Sequence, residues 1–168
     1  VATVQLDFVQ PERFGLEYTA EDGSKQQPVM IHCALLGSVE RFLSVYIEHT
    51  AGKFPVWVAP EQIRLISVNQ EESTVAFADK ILKDAKQHCI RVTVDNSNES
   101  VGKKIRAAEI AKVPYTVVIG EKEIESNNLL PRIRKDMEVV APHVELTFDE
   151  FLKTVANEAK SRTTKSSL

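Results

Sequence analysis

The chain has 168 residues, of which 43% are hydrophobic and 27% charged, a globular balance that suits one domain or a small domain plus part of another. Its net charge of −3 argues against a dedicated, strongly basic nucleic-acid-binding module but leaves room for a local basic face. No apolar run approaches the roughly 20 residues that cross a bilayer, no signal peptide is recognisable, and the two cysteines are far apart, so we expect free thiols in an intracellular protein without a membrane partner.

The first 50 residues predict strands followed by one helix. Residues 1–8 alternate apolar and polar side chains, as a half-buried strand does. Because the chain begins in that strand with Val1, we expect a partial chain. After a loop, residues 14–19 and 28–35 predict two strands around a turn-rich stretch. A helix that ends near residue 50 is predicted next, because apolar side chains recur at the spacing of one buried face: Val39, Phe42, Leu43 and Tyr46.

The pattern changes at residues 53–62, which hold two prolines and the only tryptophan. We therefore expect two domains, residues 1–59 and residues 60–168. The second alternates strands at 63–68, 90–95 and 115–120 with helices at 71–86 and 100–112. The first of these helices is expected to bury Val75, Ala78, Leu82 and Ala85.

The end of the chain predicts short strands and a last helix. One or two strands fall between residues 128 and 140, and a Thr-x-x-Glu capping box starts the helix at Thr147. The polar tail, residues 161–168, is expected to fray. The strand–helix alternation implies parallel pairing with right-handed crossovers, in a three-layer α/β domain. Such a domain serves many functions, so the fold class alone names none.

Several blocks of the chain resemble one family, in the family's order. VMIHCALLGSVERF (29–42) is similar to the third signature motif of class II aminoacyl-tRNA synthetases, and more narrowly to that of the threonyl-tRNA synthetases. TVQLDF (3–8) falls at the spacing of the preceding strand, and residues 53–68 and 101–126 resemble the junction and the centre of the anticodon-binding domain.

The resemblance implies a fold and an activity. The fold would be an incomplete piece of the class II antiparallel catalytic sheet followed by an α/β anticodon-binding domain with a mixed sheet. The whole enzyme would be a cytoplasmic homodimer that attaches threonine to its tRNA at the expense of ATP, with Mg²⁺ and a zinc ion. We expect this chain alone to be inactive, because the dimer motif, the motif 2 arginine and two zinc ligands would lie elsewhere.

Arg41 is expected in the first turn of a helix, where the positive helix end disfavours a cation unless a polyphosphate is bound. On chemistry alone, a surface ion pair with Glu40 or Glu48 is the commoner explanation. The resemblance instead implies an ATP-binding, catalytic arginine. It also places Gln5 and Ser38 in the aminoacylation pocket, although ordinary polar roles at a strand and a helix start suit them equally.

His32 lies in an apolar strand, where a lone histidine is more often a hydrogen-bonded core residue than a ligand. The resemblance implies the last of three zinc ligands, one Cys and two His, with the other two upstream of Val1. Such a zinc would take the amino group and the hydroxyl of threonine together. Cys33 stands where the family has Arg, and since strand neighbours face opposite ways we interpret it as a core residue.

Basic side chains in the second half follow one helix and the third strand: Lys103, Lys104, Arg106, Lys112, Arg132, Arg134 and Lys135. Such a run is usually a solvated face. The resemblance implies anticodon contacts at Asn98, Lys112, Glu123 and Arg132, which we expect at one end of the sheet. Unstacked loop bases expose their edges, and a Glu among basic residues favours base reading over phosphate contact.

Three hypotheses remain open. The chain is part of a ligase, or a non-catalytic, synthetase-derived RNA-binding module, or a structural interaction domain if the basic segments face different sides. The pair His32 and Arg41 favours the first hypothesis, because a pure binding module needs neither side chain. We also expect exposed apolar surface on residues 1–50, since most of the implied catalytic sheet is absent.

Overall fold

The computed structural model describes residues 2–140 and 145–168. It divides into two compact units, Val1–Ala51 and Gly52–Leu168. Within the described residues, no helix is long and apolar enough to cross a membrane. Both cysteines are exposed free thiols.

The junction residues 52–59 pack with the second unit, eight positions before the boundary expected from sequence. Val56 is 1% exposed within that unit's core, and its carbonyl accepts a hydrogen bond from Gln62 Nε2 at 2.8 Å. The Arg91 guanidinium donates to the carbonyls of Trp57 and Ala59. The prolines and the tryptophan therefore mark a segment fixed to the second unit.

The first unit is built on one antiparallel strand pair. Strand β1 (Thr3–Asp7) pairs with β4 (Met30–Ala34). Between them lie helix α1 (Gln10–Arg13) and the small hairpin of β2 (Tyr18–Thr19) and β3 (Lys25–Gln26), and helix α2 (Val39–Thr50) follows. The expected strand at 14–19 is reduced to the two residues of β2, and the Asp7 carboxylate accepts the amides of Val9 and Gln10 at the start of α1.

Apolar surface is exposed throughout the first unit, as expected. Val4 is 68% and Ile31 65% exposed on one face of the strand pair, and helix α2 buries no residue. Among residues 2–51 only Pro11 is buried. This unit therefore has the secondary structure of a larger domain but does not enclose a hydrophobic core of its own.

The second unit contains a four-stranded mixed sheet in the order β6–β5–β7–β9, which confirms the predicted fold class. The strands are β5 (Ile63–Ser67), β6 (Val92–Asp95), β7 (Tyr115–Ile119) and β9 (Arg132–Ile133). Strand β5 pairs in parallel with both β6 and β7, and β9 runs antiparallel to β7. A separate short pair joins β8 (Asn128–Leu129) to β10 (Leu146–Thr147).

Four helices complete this unit: α3 (Glu72–Gln87), α4 (Val101–Ile110), α5 (Glu121–Ser126) and α6 (Phe148–Ser161). Helix α3 buries Thr74 and Ile81 along with the two expected alanines, in place of Val75 and Leu82. Helix α6 begins at the predicted capping box of Thr147 and Glu150. Helix α5 was not predicted.

The C-terminal tail does not fray as expected, because it is held to the second unit at its end, where Ser166 and Leu168 are buried. Glu158 is 2% exposed, and its carboxylate accepts the Tyr115 hydroxyl at 2.6 Å and the Ser167 amide at 2.6 Å. Ser166 is fully buried, and its hydroxyl lies 2.7 Å from the Tyr115 hydroxyl. Burial, reinforced by the charge of Glu158, raises the pKa of Tyr115, so the phenol keeps its proton and continues to donate.

Replacing Glu158 with Gln is expected to lower the free energy of unfolding by about 1–3 kcal/mol, because a buried hydrogen-bond donor would lose its acceptor. Urea unfolding near pH 7 measures the loss. The matched control is Glu125→Gln on the exposed surface of α5, which should change the free energy by less than about 0.5 kcal/mol. Equal stabilities for the two variants would contradict the role of Glu158.

Candidate functional site

A cavity of about 440 Å³ opens in the second unit beside strand β9. Eleven residues line it, and five of them are basic while two are acidic. They are Lys53, Ile105, Glu109, Lys112, Val113, Thr116, Arg132, Ile133, Arg134, Lys135 and Asp136. Ile105, Val113 and Ile133 form an apolar floor, and the basic side chains form a rim around it. This acidic protein therefore has a local site that suits an anion with a flat apolar part.

The basic rim comes from three separate segments. Lys53 belongs to the junction, Lys112 follows the last turn of α4, and Arg132 and Lys135 come from β9 and the residues after it. Lys112 is half-buried and has a left-handed backbone with φ of 60°, whereas the other three are exposed. Within residues 2–140 and 145–168, none of these four side chains forms an ion pair, although the charge of Lys53 helps to lower the pKa of Asp136.

Arg134 lies beneath this rim with its side chain only 8% exposed. Its guanidinium donates to the Lys112 carbonyl at 2.7 Å, to the Phe54 carbonyl at 2.9 Å and to Asp136 Oδ1 at 2.7 Å. Burial alone would raise the pKa of Asp136, but the hydrogen bond and charge of Arg134 outweigh it and hold that pKa below its usual value. Arg134 and Asp136 therefore neutralise each other, and the net positive charge lies on the rim.

The other two predicted anticodon residues lie elsewhere on the sheet. Asn98 is exposed in the loop after β6, and Glu123 is in the first turn of α5, just after β7. Both follow the carboxyl ends of parallel strands, whereas Arg132 pairs with Thr116 near the start of β7. A five-residue strand spans roughly 15 Å, so the expectation that all four residues share one end of the sheet was wrong.

The basic residues of α4 do not form one solvated face. Lys104 is 3% exposed, and its ammonium donates to the carbonyls of Ser67 at 2.9 Å and Asp95 at 3.3 Å. Lys103 is exposed and paired with Glu99 at 2.6 Å. Neither cation reaches the cavity, which leaves Lys112 as the basic residue of this helical segment that lines it.

Lys53 is a rim residue that the sequence reasoning missed. It belongs to a Pro-rich junction with no charge cluster of its own. It reaches the cavity because Arg134 binds the next residue's carbonyl, a contact between positions 80 residues apart. No local sequence pattern indicates such a contact.

In the first unit, His32 and Asp7 form a polar pair on one face of the strands. His32 Nε2 lies 3.0 Å from Asp7 Oδ2, and the register places Gln5 directly opposite His32 on the same face. The amide of Gln10 is the largest cause that lowers the pKa of Asp7, with His32 adding to it. Cys33 is exposed on the opposite face of the strand pair, so it is not the buried residue we expected.

Arg41 lies in the first turn of α2, as expected. Ser38 is the N-cap of that helix, and its hydroxyl accepts the Arg41 amide at 3.1 Å. Among the described residues, the exposed Arg41 forms no ion pair with Glu40 or Glu48. The ion pair expected on chemistry alone is therefore not formed there, and the Arg41 guanidinium lies at the positive end of α2, where a bound anion would offset the unfavourable helix dipole.

The residues present do not make a zinc site by themselves. In the part of the chain that the structure describes, no group of three His, Cys, Asp or Glu side chains could hold a metal ion. His32 and Asp7 supply two donors, whereas a zinc site uses at least three protein ligands. Any zinc bound through His32 would need donors other than those that the described residues bring together.

Comparisons with known proteins agree with this division. Residues 62–158 match the family model described as the anticodon binding domain, and residues 1–50 match the class II tRNA synthetase core domain (G, H, P, S and T). Threonine--tRNA ligase of Clostridium botulinum (strain Langeland) is 42% identical over 96% of this chain, and that of Caldanaerobacter subterraneus subsp. tengcongensis is 40% identical over 94%. In each comparison the chain covers 24% of the relative's length.

A solved structure resembles the chain over nearly its whole length. The RNA binding domain of threonyl-tRNA synthetase from Cryptosporidium parvum Iowa II has a TM-score of 0.78 and 35% sequence identity, over 99% of this chain and 40% of that one. The order of the two matched families along the chain is also the order of the two units. The chain therefore belongs to the anticodon binding domain family, preceded by a segment of the class II tRNA synthetase core domain, and it is similar over nearly its whole length to threonyl-tRNA synthetases.

Proposed function

We propose that this chain is the C-terminal part of a threonine–tRNA ligase, with residues 60–168 binding the anticodon of threonine tRNA and residues 1–59 completing the catalytic core. The observation that carries the proposal is the basic cavity lined by Lys112 and Arg132, neither of which forms an ion pair with a carboxylate among the described residues. An apolar floor and a basic rim suit an unstacked base and its phosphate. The matched family and the relatives' names support the same assignment.

The four anticodon residues contact different bases of the anticodon loop. Lys112 and Arg132 take bases at the cavity, where Arg132 offers two parallel donors and Lys112 a single charged donor. Asn98 and Glu123 contact a base nearer the other end of the sheet. One oxygen of Glu123 accepts the Gly120 amide at 2.9 Å, which fixes the side chain and leaves its other oxygen for a base amino group.

In the first unit, Arg41 binds the phosphates of ATP, with Mg²⁺ sharing their charge. Ser38 fixes the helix start that presents Arg41, and Gln5 lies on the face of His32. Zinc would bind threonine through its amino group and hydroxyl, with His32 as one ligand and the remaining donors in the longer protein. We place that protein in the cytoplasm as a homodimer.

The alternative function is a non-catalytic, synthetase-derived RNA-binding module. The observation in its favour is that the second unit encloses a hydrophobic core, whereas among residues 2–51 only Pro11 is buried. Threonine-dependent exchange of pyrophosphate into ATP by the longer protein separates the two functions. Loss of that exchange on Arg41→Ala supports the ligase, and a longer protein with no exchange supports the module.

Replacing Arg132 with Ala is expected to reduce discrimination among anticodon stem-loops by roughly 1–3 kcal/mol per contacted base, since a bidentate donor to a base edge would be lost. Lys135→Ala is the matched variant on the same rim. It should weaken all stem-loops alike and reduce the slope of log affinity against log salt by about 0.7, as the loss of one phosphate contact does. Titration of the 168-residue chain with stem-loops that differ only in the anticodon measures both effects.

Equal affinities of the unmodified chain for every stem-loop would show that this face is an ordinary solvated surface. The same conclusion follows if Arg132→Ala and Lys135→Ala change all affinities by one common factor.

The isolated chain is expected to retain far less than one zinc ion per molecule after dialysis, because one imidazole and one carboxylate are too few ligands. Metal analysis by mass spectrometry measures the content, with His32→Ala as the control, which should give the same low value. In the longer protein, His32→Ala should abolish zinc-dependent threonine activation. Stoichiometric zinc in the isolated chain that His32→Ala removes would contradict this prediction.

A further inference from the structure

Arg134 joins three segments that are distant in sequence. Its guanidinium binds the Phe54 carbonyl of the junction, the Lys112 carbonyl after α4 and the Asp136 carboxylate after β9. Its backbone amide also donates to the Pro114 carbonyl at 2.9 Å. Each of the three segments carries a cation of the rim, so this one side chain determines how far apart those cations lie.

The contact with Lys112 has a specific conformational effect. A lysine seldom adopts a left-handed backbone, and at this position the φ of 60° turns the side chain into the cavity lining. A hydrogen bond of 2.7 Å from Arg134 to the Lys112 carbonyl stabilises that conformation. The Lys112 side chain also lies beside Gly52, where an added Cβ would be 4.0 Å from Lys112 Cγ.

A lysine at position 134 could not replace these contacts. The guanidinium makes four hydrogen bonds in fixed directions, two of them to Asp136 and one to each of the two carbonyls. An ammonium is a point charge with three donors, and its geometry does not match this planar arrangement. Arg134→Lys therefore keeps the positive charge at this position but removes the geometry of its hydrogen bonds.

We propose that Arg134 is a positioning residue of the RNA-binding cavity, which sets the spacing of Lys53, Lys112 and Arg132 and thereby links the junction to the bound anticodon. Arg134 is mostly buried and acts through its neighbours. The inference rests on the proposed function, because the cations that Arg134 positions are those assigned to RNA. Its consequence is that discrimination between bases depends on a side chain that contacts no base.

The test compares the 168-residue chain with Arg134→Lys, Asp136→Asn and Arg91→Lys. The probes are an anticodon stem-loop of threonine tRNA and the same stem-loop with one anticodon base replaced. Arg91→Lys is the matched control, because Arg91 also donates to junction carbonyls, those of Trp57 and Ala59, but does not line the cavity. The measured quantity is the ratio of the two dissociation constants at several salt concentrations, and circular dichroism checks folding.

Arg134→Lys is expected to keep the salt dependence and lose discrimination, with the ratio falling by roughly tenfold, the value of one good base contact. Asp136→Asn removes a negative charge at the rim, so charge alone predicts tighter binding of both stem-loops and an unchanged ratio. Positioning predicts that the ratio falls, because Arg134 loses its anionic partner. Arg91→Lys should keep the ratio.

Unchanged ratios in both folded variants would overturn the inference while leaving the anticodon assignment intact. An unmodified chain that does not discriminate would overturn the proposed function and this inference with it. Should Arg134→Lys fail to fold, Asp136→Asn decides alone, because it keeps the guanidinium but removes the carboxylate that holds it in its orientation towards the two carbonyls. A ratio that falls equally in Arg91→Lys would also overturn the inference, because the effect would then be general loosening of the junction.

Discussion

Parallel pairing of β7 with β5 is the constraint on which the second unit depends. Parallel strands need a crossover, so α4 must return the chain to the end of the sheet at which both strands begin, where Ile63 lies opposite Tyr115. That return places Lys112 beside the start of β7. Strand β9 turns back antiparallel and brings Arg132 to the same place. The basic cavity is thus a consequence of topology, and the loop that carries Asn98 and helix α5 that carries Glu123 belong to the opposite end for the same reason.

Much of this architecture could be predicted because its signals are local. The three parallel strands, the helices between them and the capping box at Thr147 depend on periodicity and on residues a few positions apart. The tail could not be predicted, because a polar sequence becomes buried only when Glu158 and Tyr115 supply partners for it. The environments of two lysines could not be predicted for the same reason. The sequence predicts Lys104 at the surface, but its ammonium is buried against two carbonyls. It predicts Lys53 in a linker, but this residue reaches the rim because Arg134 binds the carbonyl of its neighbour.

The two units differ in how much of their apolar surface they bury. The second buries a continuous core around Leu65, Val117 and Phe151, each at most 1% exposed. The first forms a strand pair and an amphipathic helix but leaves their apolar side chains in water, where each Å² costs about 25 cal/mol. A two-stranded sheet is at best marginally stable alone. His32 and Gln5 lie on the polar face of the β1–β4 strand pair. The stability of this pair must therefore come from apolar contacts that these 51 residues do not make among themselves.

Open α/β sheets usually bind ligands in the crevice beyond the carboxyl ends of their strands. Here the ammonium of Lys104 already occupies the carboxyl ends of β5 and β6, bound to the carbonyls of Ser67 and Asp95. The protein thus fills with its own side chain a position that related architectures leave for a cofactor or substrate. A ligand that approached these two carbonyls would first have to displace the ammonium of Lys104.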